Sequence, residues 1–151
     1  MKTAFGYYTP DKEILFCKQL LRDENEVIGY ETGLSALNRI GLVSQMPKKR
    51  CIATNLHTKR IPKGMQIEIR KPPIRVNADN FRYLQILDAI RELDMAPVDT
   101  AKPVDVVRAT AQEFALKTDQ LILMARKYYG QKTLIRTIDI MLEGSYEATR
   151  G

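Results

Sequence analysis

The residues of this chain best able to do chemistry are cations. Residues 48–75 carry nine Lys and Arg (Lys48, Lys49, Arg50, Lys59, Arg60, Lys63, Arg70, Lys71 and Arg75) against one acid, Glu68, a local charge of +8. The rest of the chain, with 15 bases against 17 acids, sums to −2, so one segment of 28 residues holds all the surplus of a chain with net charge +6. Such a segment creates a field that attracts a polyanion or an acidic protein face. Its Lys and Arg head groups suit phosphates, and Asn55, Thr58 and the intervening backbone can add hydrogen bonds. No Phe, Tyr or Trp falls among these residues, which weighs against a platform for stacking the bases of a single strand.

Catalytic signals are sparse. The single histidine, His57, has no Cys or His beside it to complete a metal site. Glu68-Ile69-Arg70-Lys71 resembles half of a metal-dependent nuclease site, but such a site needs a second carboxylate to hold Mg²⁺. No Asp or Glu lies between Glu31 and Glu68 to supply one from a neighbouring strand. Glycine-rich phosphate loops, nucleophile elbows and paired cysteines are all missing from the sequence. The reading is therefore of a protein that binds rather than catalyses, without metal or cofactor.

The elements that must hold these cations follow from periodicity. Cys51, Ala53 and Asn55 alternate with Ile52, Thr54 and Leu56, and Met65, Ile67 and Ile69 alternate with Gln66, Glu68 and Arg70. Two strands joined by about eight residues predict a long basic hairpin, with Lys59, Arg60 and Lys63 in its loop and Lys48, Lys49, Arg50, Arg70 and Lys71 at its ends and outward face. Pro72-Pro73 ends the second strand, and 74–76 is expected to add an edge piece.

Helices are expected on both sides. Ile14, Leu15, Cys17 and Leu21 predict a helix over 11–22, followed by a polar turn at 23–26. Residues 28–42 read as a short helix with Tyr30, Leu34 and Leu37 on one face, closed by Gly41 with Leu42 packing back on Leu37. Phe81, Leu84, Leu87 and Ile90 mark a helix capped by Asn77 or Asp79 and running to Leu93, and 95–102 is the best linker. Further helices are expected from Pro103 through Phe114, over 119–129 closed by Gly130, and over 132–143 closed by Gly144.

The fold class expected is α+β: a small antiparallel sheet with a basic hairpin, packed by helices, and a C-terminal group of three to four helices. Residues 1–95 form the core domain and 96–151 a helical extension packed on it as one compact unit. At 151 residues, 44% hydrophobic and 28% charged, the chain can bury a real core. Cys17 and Cys51 fit buried thiols in a reducing compartment, and no apolar run approaches the ~20 residues of a membrane span. A cytoplasmic protein is expected.

One resemblance adds to this. Residues 28–42, then Gln45-Met46-Pro47, Ile52-Ala53-Thr54-Asn55, Lys59-Arg60 and 67–73, resemble the C-terminal domain of AbiEi-type antitoxins of type IV toxin–antitoxin systems. The likeness is to the short relatives encoded beside nucleotidyltransferase-like toxins. It continues through 80–93, with the run Tyr83-Leu84-Gln85-Ile86-Leu87-Asp88-Ala89, and covers roughly residues 3 to 95. The resemblance implies a bacterial toxin–antitoxin or phage-defence role of the abortive-infection kind, in which the chain counters a nucleotidyltransferase-type toxin. It also implies an N-terminal winged helix-turn-helix that represses the operon. Phe5-Gly6-Tyr7-Tyr8-Thr9-Pro10 resembles the tail of that wing, and the recognition helices that should precede it are absent from this sequence. The family's motifs are structural, so no active site is implied. The expected contacts to toxin or operator DNA are Lys48, Lys49, Arg50, Lys59, Arg60, Lys63, Arg70 and Lys71. The competing expectations are a nucleic-acid-binding repressor module that makes phosphate contacts only and a metal-dependent nuclease.

Overall fold

A computed structural model describes the backbone of residues 10–150 and the side chains of residues 12–142. The stretch compared with a wing tail therefore lies, but for Pro10, outside the described residues. The first helix, α1 (Pro10–Leu21), buries Phe16, Cys17 and Leu20. A tight antiparallel pair follows, β1 (Arg22–Asp23) and β2 (Glu26–Val27), turned by Glu24 at φ 55°.

The stretch 28–42 divides where a single helix was expected. Its first part is a strand, β3 (Gly29–Thr32), and only the rest is helical, α2 (Gly33–Arg39). A Cβ at Gly29 would lie 2.3 Å from the Leu20 carbonyl oxygen and 2.8 Å from that of Ala53, so glycine lets this strand press against two backbones. Gly33, at φ 62°, then turns the chain from strand into helix. The far end of α2 closes as expected. Gly41 has φ 91°, the Leu42 N–H donates to the Leu37 carbonyl at 2.9 Å and the Gly41 N–H to that of Asn38 at 3.2 Å. Those two bonds define the Schellman ending.

The main sheet has the order β3–β4–β5, with β4 (Arg50–Thr54) in the centre and β5 (Ile67–Arg70) at one edge. β3 and β4 are antiparallel, Gly29 opposite Thr54. β4 and β5 are parallel, Arg50 opposite Ile67, so the expected hairpin does not form. Both strands are shorter than their alternation suggested, which leaves residues 55–66 as a connection long enough to return to the starting end of β4, as parallel pairing requires. Two bonds divert the chain after Thr54. The Thr54 hydroxyl accepts from the Leu56 N–H at 3.1 Å, and the Asn55 side chain pairs with the backbone of Val76, accepting its N–H at 2.8 Å and donating to its carbonyl at 3.0 Å. Val76 is thereby fixed by a side-chain amide, and the expected edge piece at 74–76 is not a strand.

Four helices complete the chain: α3 (Phe81–Glu92), α4 (Pro103–Glu113), α5 (Thr118–Tyr128) and α6 (Gln131–Arg150). α6 passes through Gly144, which was expected to end it; a glycine within a helix costs only about 1 kcal/mol and acts as a stop only where it takes the left-handed conformation itself, as Gly41 does. The architecture is α+β with a C-terminal helical group. One apolar cluster joins Tyr30, Leu37, Leu42 and Ala53 with Leu84, Leu87 and Ile90 of α3 and with Val107, Leu121, Ala125 and Ile140 of the last three helices. The linker is tied down as well: the Asp99 N–H donates to the Leu42 carbonyl at 3.1 Å, and its carboxylate accepts the Ser44 N–H at 3.0 Å. A smaller cluster of Phe16, Cys17, Leu20, Ile52 and Ile67 packs α1 on the sheet. Among the described residues no helix is long and apolar enough to cross a membrane.

Candidate polyanion-binding face

Parallel pairing redistributes the cations. Lys48 and Lys49 lead into β4 and Lys63 precedes β5, so all three gather near the starting ends of the two strands. Lys71 follows β5 at the opposite end, where His57, Asn55, Lys71 and Arg75 line a cavity of about 240 Å³ with Pro72, Pro73 and Ile74. The ends of a five-residue strand are ~13 Å apart at ~3.3 Å per residue. That exceeds the ~8 Å screening length at physiological salt, so the basic segment presents two patches where a hairpin would have presented one.

Within the connection 55–66, Lys59, Arg60 and Lys63 are all exposed. Lys59 is anchored on α1: its Nζ donates to Gln19 Oε1 at 3.0 Å and lies 5.2 Å above the Phe16 ring. The loop is thus pinned to the first helix at one point, with Arg60 and Lys63 exposed beyond it.

Arg70 behaves differently. It donates through Nε to Glu68 Oε2 at 2.6 Å and through Nη1 to Glu92 Oε1 at 2.9 Å, tying β5 to α3. Burial disfavours its charge, but the bonds to Glu68 and Glu92 prevail and hold its pKa above the ordinary guanidinium value. Its charge is neutralised in place, and the carboxylate of the Glu68-Ile69-Arg70-Lys71 motif is occupied by that same arginine. Among the described residues no three His, Cys, Asp or Glu side chains converge in a way that could hold a metal ion. Both cysteines are buried and unpaired as disulfides, and burial pushes both thiol pKa values up.

Arg50 leaves the basic segment altogether. Its Nη2 lies 3.5 Å from Glu31 Oε1, and Arg39 Nε contacts that same oxygen. Glu31 stands on β3 between Tyr30 and Thr32, whose hydroxyls donate the other way, to Asp88 of α3, at 2.9 and 2.7 Å. Strand alternation therefore serves two carboxylates from one four-residue strand. Around Glu31 the fold also brings Arg22 and Arg82 to the same cleft as Arg39 and Arg50. Charge counting along the chain missed Arg22, Arg39 and Arg82 because they stand alone in three distant segments; the buried glutamate of Tyr30-Glu31-Thr32 was the only local sign that cations would be drawn there.

No protein-family model, curated protein or solved structure was found to match this chain.

Proposed function

We propose that the chain is an antitoxin-like protein of a bacterial toxin–antitoxin or phage-defence system, which counters a nucleotidyltransferase-type toxin in the cytoplasm by binding, without catalysis. The observation that carries this reading is the concentration of exposed cations in residues 48–75 on a chain otherwise net negative. The resemblance of 28–42 and the segments after it to AbiEi-type antitoxins supplies the biological setting. Of the contacts expected, Lys48, Lys49, Lys59, Arg60, Lys63 and Lys71 are exposed and suited to a large acidic partner. Arg70 serves the link between β5 and α3, and Arg50 serves Glu31.

Co-expression with the toxin gene adjoining its own tests this. The full-length natural protein should restore growth, and exchanging Lys48, Lys49, Arg60 and Lys63 for Glu should abolish the rescue while leaving the amount of folded protein unchanged. Toxicity undiminished by the unaltered protein sinks the reading.

A second reading, a nucleic-acid-binding module that makes phosphate contacts only and assists autoregulation, is favoured by the exposed Lys48, Lys49 and Lys63, which precede the starting ends of two parallel strands. It requires affinity for duplex DNA to fall with salt, with a log–log slope that weakens by about 0.9 for each phosphate contact removed.

A further inference from the structure

The cleft around Glu31 is distinct from the basic face. It has a volume of about 320 Å³ and is walled by Arg22, Arg39, Arg50 and Arg82, with Leu21, Val27 and Phe81 as apolar lining. A neighbouring hollow of about 230 Å³ shares Glu31, Arg39 and Arg50 and adds Ser35 and Asn38. Four guanidiniums against one carboxylate leave a surplus of three positive charges in a space that holds a small molecule.

Like charges do not gather at random cost. Partial burial and then the neighbouring Arg22 depress the pKa of Arg82, against a smaller opposing pull from Glu113, so the two arginines repel one another across the cleft. Arg82 is nevertheless held there, its guanidinium 4.8 Å from the Phe81 ring and 4.2 Å from that of Phe114. Glu31 does the same for the other two, fixing Arg39 and Arg50 through one oxygen. Arg50 Nε is buried and has no hydrogen-bond partner, the one such side-chain atom among the described residues. That atom is closed off from the cleft, but the rest of the Arg50 guanidinium lines it, and Glu31, the one acid among the described lining residues, is already engaged by Arg39 and Arg50.

We propose that this cleft binds the terminal phosphates of a nucleotide-class ligand. Planar guanidinium forks pair two-to-two with phosphate oxygens, and Arg39 and Arg50 are pre-oriented by Glu31 to offer their remaining N–H groups. Two or more phosphate charges match the surplus of three. The apolar wall of Leu21, Val27 and Phe81 takes the organic body. Glu31 is the positioning residue, and the four arginines are the ligand contacts.

Isothermal titration with adenosine, AMP, ADP and ATP tests the inference, with a short single strand carrying or lacking a 5′-phosphate as a second arm. Affinity should rise from AMP to ATP and be undetectable for adenosine. The double variant Arg22→Gln/Arg82→Gln should lose about tenfold or more. Both positions are exposed, so the fold should persist, and a melting curve confirms it. The charge-matched control Arg126→Gln/Lys127→Gln on α5 should bind as the natural protein does. Binding of the 5′-phosphorylated strand alone, with the same arginine dependence, supports the site and assigns its phosphate to a nucleic-acid end. Equal loss in both double variants, or no binding of any phosphorylated probe at millimolar concentration, overturns it.

Discussion

Removing the carboxylate of Asp88 should be among the most damaging single changes to this fold. Asp88 is 2% exposed on α3, and its Oδ2 accepts the Tyr30 hydroxyl at 2.9 Å and the Thr32 hydroxyl at 2.7 Å. Its Oδ1 accepts from Tyr129, whose hydroxyl also reaches the Leu84 carbonyl at 3.3 Å, and lies 3.5 Å from Arg91 Nη2. Asp88→Ala leaves Tyr30 and Thr32, 2% and 1% exposed, with donors and no acceptor, while Tyr129 keeps Leu84. A stranded buried hydroxyl costs about 1–3 kcal/mol, so two of them, with the small void, amount to ~3–5 kcal/mol. For a chain of this size that is a fall in melting temperature of about 6–20 °C. Asp88→Asn keeps an acceptor for Tyr30 and Thr32 and lets Tyr129 turn its proton to Leu84, so its cost should be ~1–2 kcal/mol, the loss of charge assistance. Urea unfolding followed by circular dichroism, with unchanged m values, measures both. Adding Tyr30→Phe and Thr32→Val to Asp88→Ala should recover part of the loss, because Phe and Val carry no donor to be left unpaired. An Ala variant within about 1 kcal/mol of the natural protein, or Asn and Ala variants of equal cost, would refute this account.

The same cluster governs behaviour in alkali. Burial and then the Asp88 charge raise the pKa values of Tyr30 and Tyr129 far above that of a free tyrosine, so both stay protonated in the folded state while their unfolded counterparts ionise near pH 10. Their contribution to stability is therefore complete below about pH 10 and lost above it, at about 2.7 kcal/mol per pH unit for two groups. Ultraviolet titration should show these two among the seven tyrosines ionising only as the fold is lost, and a smooth titration of all seven with the fold intact would contradict it. Two glycines should separate backbone strain from collision. Gly41→Ala meets nothing within 4 Å and should cost only the left-handed conformation, about 1 kcal/mol, whereas Gly29→Ala drives a Cβ against two carbonyl oxygens and should cost several times more in the same unfolding assay.

What could be read in the sequence depended on how local its cause was. The ending of α2 was legible because everything it needs, a glycine at φ 91° and Leu42 bonded back to Leu37, lies within six residues. The stripes of α3, α4 and α5 were legible for the same reason: a helix face repeats within one turn. β3 was not, because Tyr30 falls at both helical and strand spacing, and the choice is made by Gly29 against the carbonyls of Leu20 and Ala53, which local spacing cannot place beside it. Alternation located β4 and β5 but carried no information on their relative direction. That was decided by the Asn55 bonds to Val76, 21 residues away, which turn the chain out of the sheet. The cleft arginines were hidden most deeply of all, since residues 22, 39, 50 and 82 meet only when β1, α2, β4 and α3 are assembled.

The edge strand β3 shows why these two carboxylate clusters belong to one device. A strand with one open edge invites pairing with another chain unless something covers it. Here α3 does so: Gln85 Nε2 donates to the Glu31 carbonyl at 2.9 Å, and Asp88, one turn further along the same helix, takes Tyr30 and Thr32. The helix thereby fixes the strand's backbone and the side chains on one of its faces. Glu31 then points to the other face with little freedom, which allows one buried carboxylate to hold Arg39 and Arg50 in place for an incoming anion. Rigidity made on the Asp88 side is what lets the Glu31 side present its arginines already oriented, so the ordering cost of gathering four cations falls on folding and not on ligand binding.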